Sequence, residues 1–212
     1  MTTIPRSGAD LLDLAPVMPV VVVDDAENAV PLARALVAGG LPGIEVTLRT
    51  PAALSAIERV AAEVPEAVVG AGTVVNGEQA DAAAKAGARF LVSPGCTPDL
   101  ARALNDTGLP SLPGVATVSE AMALLELGLT ELKFFPAEVS GGAKFLKSLS
   151  GPLPQLRFCP TGGITARSAP DYLALPNVGC VGGSWLTPSS LVAEGRWDEI
   201  TRLSREAAAL NR

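Results

Sequence analysis

Short apolar runs alternate with helix-like segments along almost the whole chain. Eight apolar runs, spaced roughly 20 to 30 residues apart, read as strands over residues 18–23, 43–49, 68–74, 89–94, 111–116, 131–136, 157–161 and 178–181. A short helix is predicted before them at residues 7–15, and helical patterns follow, the last over residues 197–210. Strands that alternate with helices indicate parallel pairing. Eight such units predict a compact (β/α)8 TIM barrel that forms one domain over residues 1–212, with a doubly wound open sheet as the alternative.

The composition supports a small aliphatic core and excludes several kinds of partner. Apolar residues make up 48% of the chain and aromatic residues only 4%. The net charge is -6 and no basic stripe is present, so we expect no nucleic-acid partner. No apolar run has the length of a membrane span and no signal pattern opens the chain, so we expect a cytoplasmic protein without a membrane partner.

The chain contains no histidine, which removes many kinds of active site. Ser-His-Asp and Cys-His nucleophiles are excluded, and so are histidine-ligated metal sites. The three cysteines are far apart and form no CxxC pair, so we expect buried, reduced thiols. The single tyrosine, Tyr172, lies in a helix-like stretch and is expected to serve packing.

Lys133 lies in the middle of the predicted strand 131–136, among apolar and aromatic neighbours. Side chains alternate between the two faces of a strand, so Lys133 shares its face with Phe135. Lysine is seldom buried without a partner, and removal from water disfavours the ammonium relative to the neutral amine. Because a Schiff-base nucleophile must be a neutral amine, we expect Lys133 to be that nucleophile. The alternative is a lysine whose stem packs while its head reaches solvent.

The second predicted strand carries a polar face, because Glu45, Thr47 and Arg49 alternate with apolar residues. The apolar face of a barrel strand meets the surrounding helices, so the polar face is predicted to point into the barrel. A carboxylate and a guanidinium are costly there unless they are paired or used. Next to Lys133 we interpret them as functional, with a structural Glu45–Arg49 ion pair as the alternative.

Small residues and hydroxyl groups stand at two further strand ends, on the face where barrel active sites lie. Thr73 ends the third predicted strand after small neighbours that leave room for a ligand, although a threonine that caps the loop is the alternative. Ser93-Pro94-Gly95 ends the fourth strand and is expected to form a plain turn.

Two glycine-rich turns follow the seventh and eighth predicted strands. They are Thr161-Gly162-Gly163 and Gly182-Gly183-Ser184. Loops at these two positions, with helix N-termini behind them, commonly bind phosphate in barrels. Glycine lets backbone N–H groups approach the oxygens closely. Neither turn has the spacing of a nucleotide-binding motif, so the pattern predicts a site for a phosphorylated small molecule.

In this order, the motifs resemble those of the KHG/KDPG aldolases, which act on 2-keto-3-deoxy-6-phosphogluconate. The motifs are EVTLRT (45–50), GAGTV (70–74), SPG (93–95), KFFPAE (133–138), CPTGG (159–163) and GGSW (182–185). The resemblance runs from about residue 15 to beyond residue 185. It implies a class I aldolase of the Entner–Doudoroff pathway, a homotrimeric (β/α)8 barrel that needs no metal or other cofactor. Its implied small-molecule partners are a phosphorylated keto sugar acid and pyruvate.

The resemblance also implies a role for each matching residue. Lys133 would be the Schiff-base residue, in contact with the pyruvyl group, and Glu45 the general acid and base. The other implied positions are Arg49 and Thr73 for the pyruvyl carboxylate, Pro94, Phe135 and Thr161 for the substrate pocket, and Gly162, Gly163, Gly183 and Ser184 for the phosphate.

Several functions stay open at this point. Activity on 4-hydroxy-2-oxoglutarate is expected beside the main reaction. The same chemistry on 2-dehydro-3-deoxy-6-phosphogalactonate is one alternative, because motifs do not show hydroxyl stereochemistry. A sugar-phosphate-binding barrel without catalysis is another, but it leaves the burial of Lys133 and Glu45 unexplained. Metal-dependent epimerases of similar architecture are disfavoured by the missing histidines.

Overall fold

Every strand pairing in the computed structural model, which describes residues 4–211, is parallel. One sheet has the order β5-β4-β3-β2-β1-β9 and a second has the order β6-β7-β8. The strands are β1 Val17–Val21, β2 Gly43–Thr47, β3 Val68–Gly72, β4 Leu91–Val92, β5 Ser111–Leu112, β6 Gly114–Val115, β7 Glu131–Phe134, β8 Arg157–Pro160 and β9 Val181–Gly183.

The two sheets join into one closed barrel. β5 and β6 are two halves of one barrel strand on either side of Pro113, whose carbonyl accepts a hydrogen bond from the Lys133 N–H. At the other seam, β8 and β9 are linked by the bridges Phe158–Val178 and Thr161–Gly182. Eight strand positions therefore surround the axis, which confirms the predicted (β/α)8 barrel over an open sheet.

Helices cover the outside of this barrel and close its amino end. They are α1 Gly8–Asp13, α2 Ala29–Ala38, α3 Ala53–Glu63, α4 Gly77–Lys85, α5 Pro98–Asp106, α6 Val118–Glu126, α7 Gly142–Leu149, α8 Ala169–Leu173, α9 Ser189–Ala193 and α10 Trp197–Ala208. Asn76 and Thr97 cap α4 and α5 by accepting backbone N–H groups, and Thr117 forms a capping box with Glu120 at the start of α6. None of the helices within residues 4–211 is both long and apolar enough to cross a membrane.

The short helix α1 closes the amino end of the barrel. Leu11 and Leu12 are fully buried in the same apolar cluster as barrel-interior residues such as Phe90 and Leu112. Asp13, at the end of α1, forms an ion pair of 2.8 Å with Arg157, the first residue of β8. The predicted leading helix is thereby confirmed, and the opposite end of the barrel is left for a site.

Most predicted strands are shorter in the structure, since β2 ends at Thr47 instead of residue 49 and β4 contains only Leu91 and Val92. The larger difference lies near the eighth strand. Residues 178–181 were the expected strand, with Gly182 and Gly183 in the following turn. Instead, Gly182 and Gly183 lie in β9, opposite Met18 and Pro19 of β1. The closing strand of a barrel has backbone partners on both sides, so two glycines can be held in strand geometry without side chains. The small helix α9 was also not predicted.

Candidate active site

A buried ion pair connects β7 and β2 across the inside of the barrel. Lys133 Nζ lies 3.0 Å from Glu45 Oε1, and the side chains are 5% and 1% exposed. The predicted strand alternation explains the arrangement. Ile44 and Val46 pack in the apolar core between the strands and the surrounding helices, whereas Glu45 points inside the barrel. Lys133 therefore does not reach solvent as a snorkelling lysine would, and the two residues singled out from the sequence form one unit.

The carboxylate of Glu45 fits because the neighbouring strand, β3, carries a glycine. A Cβ on Gly72 would lie 2.2 Å from Glu45 Oε1 and 2.6 Å from its Cγ, closer than atoms can approach. The space beside Gly70, two residues earlier on β3, is filled by the Phe90 ring, and an added Cβ would lie 2.5 Å from that ring. The glycines of β3 thus make room for two inward side chains, one apolar and one charged.

Both members of the pair are removed from water. Burial disfavours each isolated charge, whereas the 3.0 Å contact favours the charged pair. Transfer of one proton from Nζ to Oε1 would leave a neutral amine beside a neutral acid. A substrate carbonyl that enters the site can thus meet a nucleophilic amine and an acid–base group together.

Arg49 is not inside the barrel. β2 ends at Thr47, and Arg49 lies exposed in the turn that follows. It forms no ion pair or hydrogen bond to any residue in the part of the chain that the structure describes. The Glu45–Arg49 ion pair, the alternative considered from the sequence, is therefore absent. Thr47 does point inward as predicted, and its hydroxyl donates to the Val21 carbonyl at 3.0 Å.

Thr73 directly follows β3 and has an unusual backbone conformation. Its φ is +60°, and it is the one residue besides glycine with a positive φ among residues 4–211. A β-branched residue is strained in this left-handed region, and such strain is concentrated at functional sites. Thr73 follows Gly72, the residue that contacts the Glu45 carboxylate, so its half-buried side chain lies next to the pair along the chain.

Phe135 and Pro94 flank the site at the ends of their strands. Lys133 Nζ lies 5.3 Å from the centre of the Phe135 ring, which places the amine toward the carboxyl end of the barrel. The Pro94 carbonyl packs against Gly114, the residue opposite Lys133, since an added Cβ on Gly114 would lie 2.3 Å from the carbonyl carbon. Ser93-Pro94-Gly95 was expected to form a plain turn, but its backbone packs against β6.

The two glycine-rich segments, the turn after β8 and the end of β9, lie side by side at the same end of the barrel. Thr161 is buried and pairs with Gly182. A Cβ added to Gly182 would lie 2.1 Å from the Oγ1 of Thr161. Gly162 and Gly163 follow with φ of 102° and 79°, and Ser184 is exposed directly after β9. The backbone N–H groups of Gly163 and Ser184 donate no hydrogen bond within the described residues 4–211.

Helix N-termini do not stand directly behind these turns, contrary to the prediction. Helix α8 begins at Ala169, six residues after Gly163, and α9 begins at Ser189. Each helix has only five residues. Any phosphate site here depends on the N–H groups of the turns and on side chains, because helices this short carry little dipole.

Tyr172 does more than pack. It is 2% exposed within α8, as expected, but its hydroxyl donates a hydrogen bond of 2.8 Å to Glu138 Oε1. Sequence patterns gave no sign of this contact, because the partners are 34 positions apart and lie on different elements.

Metal ligands are not grouped in the described part of the chain. Within residues 4–211, no three cysteine or carboxylate side chains lie close enough together to hold a metal ion. None of the three cysteines forms a disulfide within residues 4–211; Cys159 and Cys180 are buried as expected, whereas Cys96 is half-buried.

The structure is a closed parallel barrel with a buried lysine–carboxylate pair near the carboxyl ends of its strands. This fold and this pair together are suited to Schiff-base chemistry. The family model for KDPG and KHG aldolase matches residues 9–203. The chain belongs to the KDPG and KHG aldolase family.

Individual relatives agree with this family. The chain is 51% identical over 203 residues to a 2-dehydro-3-deoxy-phosphogluconate aldolase of Pseudoalteromonas atlantica, covering 96% of this chain and 94% of the relative. It is 52% identical over 201 residues to the KHG/KDPG aldolase of Escherichia coli K12, covering 95% and 94%.

Solved structures show the same fold. The KDPG aldolase of Legionella pneumophila, captured with pyruvate as a covalent carbinolamine, superposes with a TM-score of 0.94 at 45% identity, covering 96% of this chain and 98% of that one. A native KDPGal structure is more distant, with a TM-score of 0.77 and 27% identity over 91% of this chain and 95% of that one.

Proposed function

We propose that this protein is a class I aldolase that cleaves 2-dehydro-3-deoxy-6-phosphogluconate into pyruvate and D-glyceraldehyde 3-phosphate in the cytoplasm, as part of the Entner–Doudoroff pathway. The observation that carries the proposal is the buried Lys133–Glu45 pair at 3.0 Å. A binding barrel without catalysis gains nothing from this pair, because two apolar residues would fill the same space without the loss of hydration. The family membership reported above supports the same reaction.

The first half of the reaction forms an imine on Lys133. The neutral amine adds to the C2 ketone of the substrate, and the resulting carbinolamine loses water to give a protonated imine. Glu45, next to Nζ, is positioned to accept the ammonium proton before the addition and to return a proton to the departing hydroxyl. The carbinolamine in the Legionella relative is the corresponding intermediate of that protein.

The second half breaks the C3–C4 bond. Glu45, through a water molecule, removes the proton of the C4 hydroxyl, and the bonding electrons pass into the iminium as the aldehyde leaves. The enamine that remains takes a proton at C3 from Glu45, and hydrolysis releases pyruvate and restores the amine. The burial of the pair supports this step, because acid–base groups act more strongly where water is excluded.

Two groups of residues are proposed to hold the ends of the substrate. Arg49 and Thr73 hold the pyruvyl carboxylate, for which the planar guanidinium of Arg49 can supply two parallel hydrogen bonds. Because Arg49 has no partner within residues 4–211, it is available for this contact. Pro94, Phe135 and Thr161 line the pocket between the two ends.

The phosphate is proposed to bind at Gly162, Gly163, Gly183 and Ser184. The unpaired N–H groups of Gly163 and Ser184 support this assignment, because each can donate to an anion. Gly163 also follows Gly162 in a turn where both residues have positive φ, a backbone shape that attracts anions. Ser184 adds an exposed hydroxyl. Gly183 contributes by its lack of a side chain, because a Cβ there would lie 2.3 Å from the Trp185 ring.

The gluconate substrate is favoured over its galactonate epimer by the comparisons. The two relatives that share about half of this chain's residues carry the phosphogluconate or combined KHG/KDPG names, whereas the KDPGal structure shares 27%. Activity on 4-hydroxy-2-oxoglutarate is proposed as well, from the KHG/KDPG name of the Escherichia coli relative.

A homotrimer is proposed as the working assembly. Val22, Leu54 and Val75 are exposed apolar residues near the carboxyl ends of the neighbouring strands β1, β2 and β3. A groove of about 390 Å³ lined by Leu48, Pro51 and Leu54 lies on the same side. Light scattering should give a mass of three times the 21.5 kDa chain; a monomeric mass would exclude the trimer.

Cleavage of the two epimers by the purified protein tests the function. Pyruvate release should be fast with the phosphogluconate substrate and much slower with the phosphogalactonate epimer; the opposite ranking would assign the galactonate function. Glu45→Gln should still form the imine, more slowly because water must then move the protons, but lose cleavage and the exchange of pyruvate C3 protons. An unimpaired Glu45→Gln variant would remove Glu45 from the mechanism.

A further inference from the structure

Glu138 connects the loop after β7 to the turn after β8. Its backbone N–H donates to the Gly162 carbonyl at 3.1 Å, and the preceding Ala137 N–H donates to the Thr161 carbonyl at 2.8 Å. The segment that follows Lys133 along the chain is thus bonded to the backbone of the glycine turn. The contact extends the β7–β8 pairing beyond the ends of both strands.

The side chain of Glu138 forms a second connection, to helix α8. Its carboxylate accepts the 2.8 Å hydrogen bond from the Tyr172 hydroxyl. Burial, together with this hydrogen bond, raises the pKa of Tyr172 above its ordinary value. The hydroxyl therefore stays protonated over the whole neutral range and remains a donor to Glu138.

The same side chain packs directly on Gly163. A Cβ on Gly163 would lie 2.7 Å from Glu138 Cγ and 2.9 Å from its Cβ, so only a glycine permits this approach. With φ of 79°, Gly163 is also in a conformation that glycine adopts without strain. Glu138 therefore fixes the turn through a backbone bond at Gly162 and a packing contact at Gly163, and Tyr172 fixes Glu138.

We propose that Glu138 and Tyr172 are positioning residues that hold the Gly162–Gly163 turn in the shape that binds the substrate phosphate. The inference rests on the proposed function, because it requires a phosphate at this turn. A turn already held in its binding shape loses less conformational freedom when the anion binds. Neither residue contacts the Lys133–Glu45 pair among the hydrogen bonds and ion pairs of residues 4–211, so imine chemistry should proceed without them.

Three variants test the inference against a matched control. Tyr172→Phe removes only the hydroxyl, Glu138→Ala removes the carboxylate and the Cγ that packs on Gly163, and Glu138→Gln keeps an acceptor of the same shape. Glu58→Ala makes the same chemical change as Glu138→Ala at an exposed position of α3. For each protein we would measure kcat and KM for the phosphorylated substrate, deuterium exchange at C3 of pyruvate, and the dissociation constant of inorganic phosphate by ³¹P NMR.

Tyr172→Phe and Glu138→Ala should raise KM for the phosphorylated substrate and the phosphate dissociation constant about 3- to 10-fold, the effect of one hydrogen bond. Pyruvate exchange should stay within about 2-fold of the wild type, since imine formation does not use the turn. Glu138→Gln should restore most of the phosphate affinity, and Glu58→Ala should behave as the wild type.

Unchanged phosphate affinity in Tyr172→Phe and Glu138→Ala would overturn the inference. An equal loss of pyruvate exchange would also overturn it, because it would show a general disturbance of the barrel. A wild-type protein that fails to exchange pyruvate protons would instead overturn the proposed function. The phosphate dissociation constants would still decide the positioning role separately in that case.

Discussion

Gly72→Ala should damage catalysis far more than it damages folding. The added Cβ would lie 2.2 Å from Glu45 Oε1, whereas ordinary van der Waals contacts of a Cβ are 3.4–4 Å. The carboxylate must therefore shift by about 1 Å, because the Cβ itself is fixed on the barrel backbone. A displacement of that size in a reacting group can lower the rate by about 100-fold. The overpacking alone should destabilise the fold by about 1–3 kcal/mol.

Two control variants separate these effects. Gly70→Ala overpacks the same strand, since its Cβ would lie 2.5 Å from the Phe90 ring, and should lose similar stability with a smaller loss of kcat. Gly151→Ala adds a Cβ where nothing lies within 4 Å and should change neither property.

The assay is steady-state cleavage together with urea unfolding of each variant. We expect kcat of Gly72→Ala to fall about 100-fold while its unfolding midpoint resembles that of Gly70→Ala. A folded Gly72→Ala protein with wild-type kcat would refute the reasoning, because it would show that the position of the Glu45 carboxylate does not limit the reaction.

Three other residues give independent predictions. Arg49→Ala should raise KM for pyruvate in the exchange reaction about 10-fold, because a charge-assisted contact to the carboxylate is lost. The unfolding free energy should change little, because Arg49 forms no hydrogen bond or ion pair within residues 4–211. An unchanged KM would remove Arg49 from the carboxylate site. Thr73→Gly should relieve strain of about 1–3 kcal/mol, partly offset by about 0.5–1 kcal/mol of backbone entropy. The free energy of unfolding measured in urea should therefore stay equal or rise, while pyruvate binding weakens. A large loss of stability would contradict the strain. Burial raises the pKa of Cys96 to about 11, so above about pH 9 the folded thiol keeps a proton that the unfolded chain loses. Stability should therefore fall between pH 9 and 11, and Cys96→Ser should reduce that fall; identical pH profiles would disprove the effect.

Much of the site follows from strand periodicity. Lys133 and Glu45 were identifiable because a charged residue on an alternating strand has a fixed face, and the barrel fold decides which face is inside. The fold itself followed from the spacing of the apolar runs, since eight parallel units close in one well-known way.

The remaining features depend on contacts between distant parts of the chain. Arg49 continues the alternation of β2, but the strand ends at Thr47, so its side chain is exposed. Gly182 and Gly183 have the composition of a turn, yet pairing with β1 holds them in β9. The fit between Gly72 and Glu45 also cannot be read from either strand alone, because it depends on the register of their pairing.

Trapping with borohydride tests whether the amine of Lys133 forms the imine. The protein would be incubated with pyruvate and sodium borohydride, digested, and analysed by mass spectrometry. We expect a reduced pyruvyl adduct on the peptide that contains Lys133 and no adduct in Lys133→Met. An adduct on Lys85, Lys144 or Lys147 instead, or none on the wild-type protein, would contradict the assignment of this buried amine as the nucleophile.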